Sequence, residues 1–291
     1  MSATGNLTVN EKLTVVLPVL APTPFLRAMT EFAIKTLRLH AEGEFELIVV
    51  EAADRYFDPQ FRMFKAVAEV LGAEDIKGRR YEYENPQIRI DKYICFEQKI
   101  GGVKELNAGV DAAAEGGASI ILSTGNDVIV PPGWDTELRR VFAERKDCGA
   151  AALSAFEPGA IVGPPYAVDM IVEGMYSPFM AFRPGWRFDE AYVKIYQDSD
   201  FIMRLYEAGL RSYRSCRKHV HHLLRMTSDR IEPEQHARDL AHDERLFYQR
   251  WSNSPLAMFS MIRAGAQVYG REHEGRLAKI NLHYDPTKTE G

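Results

Sequence analysis

Two short apolar runs on either side of one amphipathic segment leave this chain few choices of fold. Residues 13–17, LTVVL, are continuous, rich in β-branched side chains and closed by Pro18, the pattern of a strand buried on both faces of a parallel sheet. Residues 24–40 carry Phe25, Leu26, Met29, Phe32, Ala33 and Leu37 at helical spacing, with Pro24 at the start. Residues 45–50, FELIVV, repeat the buried-strand signature. Strand, helix and strand make a βαβ unit, whose crossover is right-handed.

The alternation continues. Helices are expected at 60–71, 103–114, 134–145 and 198–208, the last ended by Gly209, and strands at 118–122, 150–153, 175–182 and 210–216. Residues 154–174, rich in Gly and Pro, read as a long loop bordering a site. Two helices, 235–251 and 255–269, precede a polar tail that reads as disordered after residue 282. The expected fold class is therefore α/β, a mixed and mainly parallel sheet flanked by helices. Residues 1–230 form the main domain and 231–291 a helical extension with its tail.

At 291 residues, 46% hydrophobic and 26% charged, the chain can bury a real core. Its net charge of -5 argues against a surface built wholly for nucleic acid. Cys95, Cys148 and Cys216 are widely spaced and form no CxxC pair, so reduced buried thiols are expected rather than disulfides or a zinc site. The polar start MSATGNLTVNEK lacks a signal peptide's basic and apolar regions, and no stretch approaches the ~18 apolar residues of a transmembrane segment. The expectation is a soluble, cytoplasmic protein.

Ligands of open parallel sheets bind beyond the carboxyl ends of the strands. Glu51 follows FELIVV there, suited to a base or ribose donor but equally to a solvated loop. Asn126 and Asp127 follow SIILSTG, hard oxygen ligands for Mg²⁺ or Mn²⁺ or else ordinary turn residues. Asp198 and Asp200 open a helix, where one can cap and the other project into a cleft. An i, i+4 pair of Asp200 with Arg204 leaves Asp198 the freer, in reach of general-base work. Residues 204–230 hold seven Lys/Arg against two Asp/Glu, either a diphosphate-neutralising patch or a solvated cationic face. Trp186, Tyr176 and Tyr192 either stack on a sugar or base or belong to the core.

Taken in order, LTVVLPVL, FELIVVEAAD, VKELNAGVDAAAEGGASIILSTGNDVIVPPGW, FRPGWRFDEAYVKIYQDSDFIMRLYEAGL and HVHH resemble a family 2 glycosyltransferase of the GT-A fold over residues 10–225. The resemblance implies an inverting transfer of a sugar from a nucleotide-diphosphate sugar, a UDP-sugar favoured, to a hydroxyl acceptor, either a glycan or a modified nucleic-acid base among others. It implies Asp198 as catalytic base, Glu51 as base or ribose contact, Asp127 as metal ligand for Mn²⁺ or Mg²⁺, and His222 beside that metal or the diphosphate. Lys104, Asn107 and Asn126 fall where the family approaches the donor, and Trp186, Asp200 and Arg204 on the acceptor side. Two positions depart from the family pattern: Gly125 stands where an aspartate is usual, and Gln197 where a glutamate precedes the base. A degenerate transferase serving as a sugar- or partner-binding module, and a metal phosphohydrolase built from His219, His221, His222, His236, His242 and Asp243, are the competing readings.

Overall fold

The computed structural model describes residues 11–21, 23–52, 81–82, 89–96, 100–158, 160–175, 178–223 and 233–251. The expected helices at 60–71 and 255–269, the tail, Tyr176 and the domain boundary at 230 lie outside them. In chain order the elements are β1 (Leu13–Val19), α1 (Pro24–His40), β2 (Phe45–Ala52), β3 (Tyr81–Glu82), β4 (Arg89–Ile90), β5 (Lys92–Phe96), α2 (Gly102–Glu115), β6 (Ile120–Thr124), β7 (Val128–Ile129), α3 (Trp134–Glu144), β8 (Cys148–Glu157), β9 (Ala160–Val162), β10 (Ile171–Glu173), β11 (Phe179–Phe182), α4 (Gln197–Glu207), β12 (Arg211–His222) and α5 (Pro233–Trp251).

Ten strands form one mixed sheet in the order β10-β12-β8-β11-β6-β1-β2-β5, with β7 on β12 and β9 on β8. The long registers are parallel, β5-β2-β1-β6 and β8-β12, and antiparallel β11 joins the two blocks between β6 and β8. Pro18 does not close β1; it lies inside the strand opposite Val50. This is tolerated because β6 pairs β1 only as far as Val16, so its missing N–H falls beyond the two-sided ladder.

Alternation along β1 divides the core. Leu13, Val15 and Leu17 face Leu37 of α1 and Trp134 of α3, while Val16 faces Val110 of α2 and the layer containing α4 and α5. A side chain at Gly109 would place its Cβ 2.3 Å from Val16 Cγ1 and 2.9 Å from Val50 Cγ2, so only glycine lets α2 lie this close to the sheet. The 154–174 stretch is not a bare loop, since the end of β8 and all of β9 and β10 lie in it. β9 folds back on the end of β8 as a tight hairpin, whereas β10 pairs with β12, about forty residues further on, which local periodicity does not report.

The path between β11 and α4 places the site. β11 is antiparallel to β6 and ends at its amino end, where Arg183 donates to Ser119 O at 3.1 Å. The chain then climbs alongside α2, pairing Arg187 with Asp111 at 3.0 Å, then Phe188 with Asn107, and passing Val193 O beside Gly102. It reaches the carboxyl end of the parallel strands, where α4 begins.

Candidate active site

Glu51 closes β2 on that rim and is only 3% exposed. Tyr93, on neighbouring β5, donates its hydroxyl to Glu51 Oε2, while buried Oε1 has no hydrogen-bond partner among the described residues. Burial dominates and raises the carboxyl from 4.5 to about 7, against the opposing pull of Tyr93 and Arg27. A half-satisfied buried acid at a strand end is poised to accept a ligand's N–H or O–H.

Asp127 lies in the turn after β6, which stands two places from β2 in the sheet. Its Oδ2 stands 3.3 Å from His222 Nε2, and His222 Nδ1 stands 3.0 Å from Glu157 Oε1. Burial opposes charge on the imidazole, yet the two carboxylates prevail and raise it from 6.5 to about 9. Register sets this contact, because His222 ends β12 opposite Val128. A Cβ at Gly125 would lie 2.7 Å from Asp127 Oδ1, so a side chain at residue 125 would require the Asp127 carboxylate to turn aside.

Among the described residues no group of three His, Cys, Asp or Glu forms a metal cage. Asp127 could take a Mg²⁺- or Mn²⁺-type ion together with substrate phosphate and water, and His222, held charged between two carboxylates, could join it only on losing its proton. The histidines of the phosphohydrolase reading disperse: His219 contacts Pro164 O at 2.6 Å, His221 is exposed against Phe156, and His242 sits on α5.

Asp198 stands in the first turn of α4, half-buried. Its Oδ1 accepts from Ser199 N at 2.8 Å, and among the described residues Oδ2 accepts nothing. Asp200 is fully buried and saturated: Arg204 Nε at 2.8 Å, Trp251 Nε1 at 3.0 Å, the Tyr192 hydroxyl at 3.3 Å and Arg250 at 3.4 Å. The expected Asp200–Arg204 pair forms, and Arg204 also donates to Arg187 O at 2.8 Å. These two brace the protein instead of facing an acceptor.

Two expected donor contacts have other work. Asn107 donates to Phe188 O at 2.9 Å and Glu190 Oε1 at 3.0 Å and accepts from Phe188 N, so it clasps the climbing segment. Asn126 donates to Thr30 Oγ1 at 2.9 Å, tying the turn to α1. Lys104 is exposed in the first turn of α2, on the same rim. Trp186 is half-buried, its ring edge on Phe201, and Tyr192 is buried. The cationic stretch is largely spent along β12, with Lys218 on Pro132 O and Arg217 beside Glu137 and Asp169.

Tyr93 and Glu157 are not singled out by the sequence. Tyr93 and Glu157 lie in or at the end of strands with no motif of their own. A strand-end position was the one available signal, and Glu157 lies within the region read as loop.

No family model matches the chain, and no curated protein matches it. Among solved structures the chain is similar to TarS of S. aureus. With TarS 1-349 in complex with UDP the TM-score is 0.56 at 15% identity, covering 96% of this chain and 74% of that one. With TarS 1-349 in complex with UDP-GlcNAc the values are 0.56 and 15%, covering 88% and 71%. Against the longer TarS chain the match covers 96% of this chain and 45% of that one. At this identity the likeness establishes a shared α/β architecture of the GT-A type.

Proposed function

From the GT-A-like fold that this chain shares with TarS, we propose that it is a glycosyltransferase of the hexosyltransferase type, moving a sugar from a nucleotide-diphosphate sugar to an acceptor hydroxyl. One observation carries the reading: Glu51, Asp127 and Asp198, each with ligand-binding capacity left, stand on the one rim where parallel α/β sheets bind ligands. The TarS complexes with UDP and UDP-GlcNAc favour a UDP-sugar donor.

In this reading Glu51 accepts from the nucleoside, and the amino end of α2 with Lys104 faces the diphosphate with positive charge. Asp127, joined by His222 on loss of its proton, would hold Mn²⁺ or Mg²⁺, which when bound neutralises the departing diphosphate. Asp198 takes the acceptor's proton as the acceptor oxygen bonds to the anomeric carbon and the bond to the diphosphate breaks, inverting the configuration. Cys148 and Cys216, both buried free thiols, suit a reducing cytoplasm.

Asp198→Asn tests the assignment. Turnover of UDP-GlcNAc in the presence of Mn²⁺ is expected to fall by about 10²–10⁴-fold, the usual worth of a general base, while UDP affinity by calorimetry stays within about threefold. Loss of UDP binding together with turnover overturns the role of Asp198. UDP binding by wild-type protein without any turnover of a nucleotide-sugar panel favours the binding module.

A further inference from the structure

The last described helix, α5, grips the chain immediately before Asp198. Asp243, fully buried on α5, accepts three consecutive backbone N–H groups, from Val193 at 2.9 Å and from Lys194 and Ile195 at 2.8 Å each. One residue later Tyr196 has φ 62, left-handed backbone that a bulky residue adopts only when its surroundings impose it. Its ring stacks on Phe247 of α5 at 5.0 Å, and its hydroxyl meets Glu244 at 3.5 Å. Tyr196 is also the N-cap of α4, two residues before Asp198, and its side chain caps nothing. The direction in which α4 starts is thus set from outside the helix.

Resting on the reading of Asp198 as the base, we propose that Asp243 is a positioning residue for the transfer reaction. It acts through the 193–196 segment by holding Tyr196 left-handed and so aiming the first turn of α4. Three charge-assisted N–H bonds to one buried carboxylate are the strong kind, and they converge on the only left-handed non-glycine residue described. Asp200, itself in the first turn of α4, ties that turn to α5 through Trp251 and Arg250, while Asp243 holds the chain that leads into it. Asp243 is left to set the approach.

Asp243→Asn places an amide donor against backbone N–H groups while keeping size and shape. With turnover normalised to the number of UDP-binding sites measured by calorimetry, kcat for UDP-GlcNAc turnover with Mn²⁺ is expected to fall at least tenfold, with KM and UDP affinity within twofold of wild type. Phe247→Leu, which removes the stack on Tyr196 but keeps an apolar side chain, is expected to lower kcat by a smaller factor in the same pattern. It also serves if Asp243→Asn does not fold. Equal losses in kcat and in UDP-binding sites, or unchanged normalised kcat in the variant that folds, overturn the proposal. Asp198→Asn run in parallel separates the two ideas: if that variant keeps full turnover, the base assignment has failed; if it loses turnover while the variant at 243 or 247 does not, the positioning role alone has failed.

Discussion

Buried carboxylates occur on two sides of the rim in opposite conditions. Between α4 and α5, Asp200 and Asp243 are fully buried, and each is surrounded by donors. At the end of β2, Glu51 is nearly as buried but keeps one oxygen without a donor. Burial is common to both, so burial does not separate brace from binding site. The count of donors does: a saturated carboxylate is already in its final company, whereas Glu51 bears a desolvation cost that a ligand could relieve.

Substitutions on the two sides should therefore differ in sign. Asp200→Ala strips the partner from Arg204, Arg250 and Trp251 and should destabilise by about 3–5 kcal/mol, the range for breaking a buried ionic network, read from the midpoint of urea unfolding. A loss under about 1 kcal/mol would break the contrast. Glu51→Gln should stabilise. Native Glu51 titrates near 7 against 4.5 as its ordinary value, so between those pH values the folded state holds a proton that the unfolded state has released. Stability falls as pH rises through that window, by about 3 kcal/mol at 1.36 kcal/mol per pH unit. The variant should gain about 2–3 kcal/mol over wild type at pH 8 and none at pH 4, while UDP binding weakens. Equal stability curves from pH 4 to 8 would remove Glu51 from the comparison. The smallest effect is expected where exposure replaces burial: Arg187 and Asp111 are 53% and 44% exposed, and Asp111→Asn should change stability by less than about 1 kcal/mol.

The sequence made the skeleton of the rim readable wherever one segment settles its own structure. Helix α1 begins at Pro24 and ends at His40 as its periodicity implies, with Thr23 as cap, and Gly209 ends α4 with φ 79. Strand-end position also singled out Glu51 and Asp127, and helix-start position Asp198. What stayed hidden depends on partners far along the chain. Asn107 looks like a donor contact until Phe188, 81 residues on, is seen to occupy its amide. His222 meets Glu157 across 65 residues because of β-pairing that a single strand does not encode. Asp243 looks like one charge among many on a polar helix, and only its three amide partners reveal its place.

The spacing between Asp243 and the amides it receives carries a consequence for how the protein is made. Lys194 precedes Asp243 by 49 residues. At roughly 5–20 residues per second of synthesis, the ribosome needs a few seconds after delivering that stretch to supply its acceptor. Through that interval Tyr196 has nothing from α5 to hold it left-handed, and Asp198 stands on an unaimed turn. The chain entering α4 is therefore held only after every described strand has been made.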